Sequence, residues 1–118
     1  MTGLTTHVLD LVRGGPAAQV RVELYEIEPG GTRKLVGVET TNSDGRTDRP
    51  LIAPAEARVG TFELLFHVAD YFHGQGARVA DPPFLGVVSI RFGIAEPEAH
   101  YHVPLLVSPW AYSTYRGS

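Results

Sequence analysis

Three side chains that could carry out acid–base chemistry lie far apart in this 118-residue chain. His7 is in a short strand-like segment near the start, Arg46 follows an Asp-Gly turn, and His102 begins a late apolar segment. Histidine titrates near neutral pH and can move protons, whereas arginine stays charged and can support a developing oxyanion. Only the fold can bring them together, and isolated residues of these types are more often structural or solvated. The spacing alone therefore raises a three-residue site as a hypothesis.

A His-x-His pair and an unusual ending strengthen that hypothesis. His100 and His102 alternate in the segment His100–Val107, so both imidazoles should point to one face of a strand, about 7 Å apart. The chain then ends in the polar, aromatic segment Tyr112–Ser118. Because a terminus is usually frayed and ordinary in composition, this ending predicts a tail pinned against the protein surface.

Most of the chain alternates apolar and polar residues, which is the pattern of half-buried β-strands. The clearest segments are Val20–Leu24, Val36–Thr40, Phe62–Val68, Val88–Phe92 and His100–Val107; Thr6–Leu9, Thr47–Leu51 and Ala111–Tyr115 are weaker, and Ala69–His73 is the one plausible helix. Pro104 cannot donate a ladder hydrogen bond, which predicts a sheet edge or a bulge there. Seven or eight short strands separated by glycine, proline and Asn/Asp turns predict an all-β fold, an antiparallel β-sandwich.

Composition excludes several other classes. The length and the 43% hydrophobic content suit a single domain over residues 1–118. A net charge of -3 without a basic run argues against nucleic acid and anionic membranes as partners. The absence of cysteine excludes disulfides, thiolate nucleophiles and thiolate zinc sites. With no signal-peptide pattern at the start and no apolar run of membrane-spanning length, we expect a cytoplasmic protein.

Four segments together resemble the signatures of the 5-hydroxyisourate hydrolases, the transthyretin-related family of urate degradation. They are Leu4–Asp10, Asn42–Asp48, His100–Pro109 and the ending Tyr115–Ser118, in the order and spacing of that family. The terminal Tyr-Arg-Gly-Ser is the most specific, because it separates the hydrolases from transthyretin itself. Thr5 stands where serine is usual, and Trp110-Ala111 replaces a more familiar aromatic-glycine pair.

This resemblance implies a transthyretin-like sandwich of two four-stranded sheets with one short helix. It implies hydrolysis of the cyclic amide of 5-hydroxyisourate, a small-molecule substrate, with no cofactor and no required metal. It also implies a homotetramer, a dimer of dimers whose sites lie at the dimer–dimer interface.

The resemblance also assigns roles to particular residues. His7, Arg46 and His102 are expected to be catalytic, and His7 and Arg46 are expected to bind substrate together with Tyr115 and Ser118. Which histidine acts as the general base stays open, and so do the roles of His100 and Arg116.

Three alternatives compete with the hydrolase. A His-x-His pair with a third histidine can hold zinc with an open position, although no carboxylate or cysteine near the motif completes such a site. A transthyretin-like carrier would bind a hydrophobic molecule in the same channel, but His7, Arg46 and the tail would then be idle. A structural or adhesive sandwich module would gain nothing from the Tyr-Arg-Gly-Ser ending.

Overall fold

The computed structural model describes residues 3–117, which form two stacked four-stranded sheets and one short helix. The first sheet has the strand order β2-β1-β7-β8, and the second has the order β4-β3-β5-β6. The elements are β1 (Gly3–Asp10), β2 (Gly15–Pro16), β3 (Arg21–Ile27), β4 (Arg33–Thr40), β5 (Gly60–Phe66), α1 (Val68–Gly74), β6 (Val88–Ile94), β7 (His100–Val107) and β8 (Tyr112–Thr114), with a 3-10 turn at Pro54–Glu56. The predicted sandwich of two four-stranded sheets with one short helix is confirmed.

The core lies between the two sheets and follows the alternation of the strands. On β1, Leu4 and Val8 are fully buried, and β5 contributes Phe62, Leu64 and Phe66 from the opposite sheet. Removing each such side chain from water stabilises the fold by about 1.5–3 kcal/mol. Because strand side chains alternate, the residues between these core positions are directed to the outer faces of the sandwich.

Strand β1 pairs with β7 in parallel, whereas the other ladders of the two sheets are antiparallel. The predicted antiparallel β-sandwich therefore contains one parallel pair. Apolar alternation has a period of two in either strand direction, so the sequence pattern does not distinguish them. The parallel register places Thr5 opposite His102 and His7 opposite Pro104.

Three local predictions also need correction. Val68 begins α1 rather than ending a strand, and residues 47–51 form no strand; Ile52 alone makes an isolated bridge to Leu4. Pro104 lies in β7, between β1 and β8, not at a sheet edge. Strand β8 ends at Thr114, opposite Leu105, and pairing resumes only between Gly117 and His102. The missing N–H of Pro104 is therefore tolerated at an interruption of the ladder.

Across residues 3–117 the one α-helix, α1, has seven residues, and no helix is long and apolar enough to cross a membrane.

Candidate active site

The outer face of the first sheet carries a group of polar side chains on two adjacent strands. Leu4, Thr6 and Val8 of β1 point into the core, so Thr5 and His7 lie on the outer face. By the same alternation, His100 and His102 of β7 lie on that face as well. His7 lies opposite Pro104, two residues along β7 from His102. This offset between adjacent strands corresponds to a separation of about 8 Å between the Cα atoms of His7 and His102.

A tight loop brings Arg46 to the same face. The Gly45 carbonyl accepts the Val8 N–H at 2.8 Å, which docks the loop on β1 next to His7. Within the loop, the Asn42 N–H donates to the Arg46 carbonyl at 2.7 Å, and the Asn42 Oδ1 accepts from the Arg46 N–H at 3.3 Å. These bonds fix the backbone from which the Arg46 side chain leaves.

Glycine at position 45 is required by this docking. Gly45 is buried and has a φ of +76°, in the left-handed region that other residues rarely adopt. A Cβ at this position would collide with the Val8 carbonyl oxygen and would lie 3.1 Å from the Pro16 Cβ. The loop can therefore lie directly on β1 only because this residue has no side chain.

Burial and the charge of Arg46 act on both site histidines. Burial, followed by the nearby Arg46 guanidinium, lowers the pKa of His7, and a hydrogen bond to the Asp44 backbone opposes this change. Burial and then Arg46 also lower the pKa of His102, with smaller contributions from His100 and His7. Both histidines are consequently held neutral near pH 7, the form in which imidazole can accept a proton.

The Thr5 hydroxyl lies between the two histidines of β7. Its Oγ1 is 3.0 Å from the Nε2 of His100 and 2.9 Å from the Nδ1 of His102. The two imidazole rings have centroids 6.3 Å apart and an angle of 30° between their planes. From the sequence, Thr5 was notable only because it stands where serine is usual in the resembled family. Its place in the site follows from the parallel register of β1 with β7, which sets it opposite His102.

The C-terminal tail is pinned to His102, as its composition predicted. The Gly117 N–H donates to the His102 carbonyl at 2.8 Å, and a Cβ on Gly117 would lie 2.5 Å from the His102 Cδ2. The Arg116 guanidinium stacks over the Tyr101 ring, 4.1 Å from its centroid. A glycine at position 117 thus allows the tail to pack directly against the imidazole.

Tyr115 lines a cleft whose lining does not include His7, Arg46 or His102. Its side chain is 60% exposed, and the cleft, of about 440 Å³, lies between the tail and β6 and is also lined by Phe92 and Tyr101. Among residues 3–117, no hydrogen bond joins Tyr115 to His7, Arg46 or His102. Its expected part in substrate binding stays a prediction. Ser118 lies outside the described residues, so the role predicted for it has no structural counterpart here.

The same face offers little to a metal ion. Within residues 3–117, no group of three His, Cys, Asp or Glu side chains is arranged to hold one. In addition, the Thr5 hydroxyl engages one nitrogen each of His100 and His102. What the arrangement does offer is two neutral imidazoles and one fixed cation, which suit proton transfer beside a developing negative charge.

Residues 4–117 match the sequence profile of the HIUase/Transthyretin family. A 5-hydroxyisourate hydrolase of Deinococcus radiodurans is 60% identical over 116 residues, which cover 98% of this chain and 96% of that protein. Among solved structures, an (S)-allantoin synthase superposes with a TM-score of 0.91 at 46% identity; the match covers 98% of this chain and 43% of the synthase. A transthyretin from Sparus aurata has a TM-score of 0.87 at 26% identity, covering 99% and 97% of the two chains.

The profile match spans all four segments on which the sequence resemblance depended, apart from the last residue. The structural similarity to the synthase and the transthyretin likewise extends over nearly the whole sandwich. The chain therefore belongs to the HIUase/transthyretin family.

Proposed function

We propose that this protein hydrolyses 5-hydroxyisourate, the reaction for which its relative from Deinococcus radiodurans is named. The observation that carries the proposal is the outer face of the first sheet, where burial and then the nearby Arg46 guanidinium lower the pKa of both His7 and His102. A carrier has no need of neutral bases beside a fixed cation, whereas hydrolysis of a cyclic amide needs both.

Each proposed role follows from the chemistry of the residue. One neutral histidine removes a proton from water, and the water oxygen attacks the ring carbonyl carbon. Arg46, which keeps its charge, orients the substrate and supports the oxyanion that forms. The C–N bond then breaks, and the leaving nitrogen receives the proton that the first histidine took from water, either directly from that imidazolium or relayed through the second histidine. Opening of the ring gives 2-oxo-4-hydroxy-4-carboxy-5-ureidoimidazoline.

We further propose that the protein works as a homotetramer whose sites lie between copies. Leu11 and Val12 are 52% and 60% exposed, and Trp110 and Tyr112 are 65% and 45% exposed. The Leu11 N–H donates to the Val107 carbonyl, which places the β1–β2 loop beside the β7–β8 turn at one end of the first sheet. An exposed apolar patch of this kind, on the sheet that also carries the polar site, supports burial by a second copy. Light scattering would measure the assembly, and cell fractionation would test the predicted cytoplasmic location.

The hydrolase is tested by generating 5-hydroxyisourate in the cuvette from urate and urate oxidase and following its ultraviolet absorbance. We expect the wild-type protein to accelerate the decay in the presence of a strong chelator. His102→Ala should lose about 10²–10⁴-fold in turnover, the usual value of general acid–base catalysis. His73→Ala is the matched control, because His73 is an exposed residue in the last turn of α1.

The outcomes separate the alternatives. If the wild type leaves the decay unchanged, the hydrolase proposal fails and ligand binding by a transthyretin-like carrier becomes the leading hypothesis. If activity is present but disappears in chelator and returns with added zinc, the mechanism requires a metal. If His102→Ala keeps full turnover, His102 is removed from the mechanism.

A further inference from the structure

We propose that Thr5 and His100 are positioning residues that hold His102 in the tautomer with its proton on Nδ1, which leaves Nε2 free as the general base. This inference rests on the proposed hydrolase for its kinetic consequence, but the tautomer itself can be observed without any reaction. It also gives His100 a role that the sequence left open.

The argument begins with the proton count of one hydroxyl group. The Thr5 Oγ1 is within hydrogen-bond distance of the Nε2 of His100 and the Nδ1 of His102, at 3.0 and 2.9 Å. A hydroxyl has a single proton to donate and two lone pairs with which to accept. When both imidazoles are neutral and both contacts are hydrogen bonds, Thr5 therefore donates to one ring and accepts from the other. The tautomers of the two histidines are coupled through this hydroxyl.

The place of each ring nitrogen selects between the two arrangements. Nδ1 of His102 faces the Thr5 hydroxyl on β1, so Nε2 is the nitrogen left for a water molecule. A neutral imidazole has one protonated nitrogen and one that accepts, so Nε2 can act as the base only when Nδ1 carries the ring proton. In that arrangement the Thr5 hydroxyl accepts from Nδ1 of His102, and its own proton is directed to the Nε2 of His100.

The C-terminal tail packs against the side of the His102 ring that faces away from Thr5. Gly117 packs against Cδ2, the carbon bonded to Nε2, so close that a methyl group would not fit between them. The ring is thus held from two sides: Nδ1 faces Thr5 on β1, and Cδ2 faces the tail. With Nδ1 protonated, the Nε2 lone pair is the one available to a water molecule. A functional histidine is commonly oriented in this way, by the hydrogen bond that its second nitrogen makes.

The arrangement also supports the charged form of His102 during the reaction. When Nε2 takes a proton from water, the ring becomes an imidazolium that still donates Nδ1–H to the Thr5 oxygen. Hydrogen bonds to charged groups are stronger than those between neutral groups. The Thr5 hydroxyl can polarise further because its own proton is held by His100. No proton has to leave the Thr5 oxygen, so the atoms and charges balance on His102 alone.

The test uses protein labelled with ¹⁵N in its histidine rings and compares four forms by NMR: the wild type, Thr5→Val, Thr5→Ser and His100→Leu. Valine keeps the branched shape of threonine without the hydroxyl, and serine keeps the hydroxyl without the methyl group. We expect the Nδ1–H tautomer of His102 in the wild type and in Thr5→Ser. In Thr5→Val and His100→Leu, we expect a mixture of tautomers or the Nε2–H form. The tautomer proposal is overturned if the wild type has the Nε2–H form or if neither Thr5→Val nor His100→Leu changes the tautomer.

Turnover of 5-hydroxyisourate gives the second readout. We expect kcat to fall by about 10- to 100-fold in Thr5→Val, the size of effect seen when partners that orient metal-bound histidines are removed. KM should change little, and Thr5→Ser should keep kcat within a few-fold of the wild type. A shifted tautomer with unchanged kcat would contradict the link to catalysis. An inactive wild type with the expected tautomer would refute the proposed function and leave the positioning by Thr5 intact.

Discussion

Replacing Gly117 by alanine tests whether the tail holds His102 in place. An alanine Cβ at this position would lie 2.5 Å from the His102 Cδ2, 3.2 Å from its Cγ and 3.3 Å from its Cβ. Carbon atoms in contact are normally about 3.5–4.0 Å apart. Either the imidazole or the tail must therefore move by about 1 Å to relieve the contact.

Both movements disturb the site. A tilt of the ring away from the tail would alter the contact of 2.9 Å between the His102 Nδ1 and the Thr5 hydroxyl. A shift of the tail would stretch the hydrogen bond from the Gly117 N–H to the His102 carbonyl, which contributes about 1 kcal/mol to stability. A misplacement of about 1 Å can cost roughly 100-fold in rate. We therefore expect Gly117→Ala to lower kcat by about 100-fold, with a loss of unfolding free energy of only about 1 kcal/mol.

The assay is the decay of 5-hydroxyisourate at saturating substrate, together with thermal unfolding of the same preparation. Gly86→Ala is the matched control, because an added Cβ there would meet no atom within 4 Å. It should keep the wild-type kcat. If Gly117→Ala turns over substrate at the wild-type rate while remaining folded, the close contact with His102 does not position the ring, and the reasoning is refuted.

Three further predictions concern the supports of the same site. Gly45→Ala should cost about 1–3 kcal/mol in urea unfolding and lower kcat, because it strains the left-handed backbone and pushes the loop off β1; wild-type stability would refute this. Burial and then the Arg46 guanidinium lower the pKa of both site histidines, so kcat/KM should begin to fall only below the ordinary histidine pKa of about 6.5. In Arg46→Gln those pKa values rise and the acidic limb of the pH profile should move to higher pH; an unmoved limb would contradict the assignment. Tyr71→Phe should lower the free energy of unfolding by about 1.5–3 kcal/mol, since it removes a 2.7 Å hydrogen bond to the buried Asp10 carboxylate; unchanged urea unfolding would argue against it.

The strands of the sandwich could be predicted from the sequence because alternation reports burial directly. The segments Val88–Phe92 and His100–Val107 fall in β6 and β7, and Ala69–His73 falls inside α1. The strand predicted over Thr47–Leu51 was wrong. The spacing of its residues permitted a strand, but this segment continues from the loop that carries Arg46 and forms no ladder with another strand. Alternation describes which side chains are apolar, and it does not show whether a partner strand is present.

The pairing of β1 with β7 could not be predicted from the residues themselves. The two strands come from opposite ends of the chain, and alternation alone leaves both the direction and the register of their pairing undetermined. Yet this register decides the site, because a slip of one residue would turn Thr5 and His7 into the core. The resemblance named His7, Arg46 and His102 without that information. It did not identify Thr5, whose role depends on the residues that the register places beside it.

The glycines show how the site is held rigid. Within residues 3–117, three glycines have no room for a Cβ because another atom lies within 3.0 Å of that position, and each supports a different part of the site. Gly45 lets the loop of Arg46 dock on β1, and Gly117 lets the tail pack against His102. Gly3 is paired with His100, and because it has no Cβ the Ile52 carbonyl can lie directly against it. Three distant segments thus reach β1 or β7 at distances that a side chain would forbid. Catalytic groups have to be held to within about 0.5 Å, and close backbone packing of this kind achieves that better than flexible side-chain contacts. Of the 13 glycines in the sequence, these are the positions where substitution by alanine should reduce activity most.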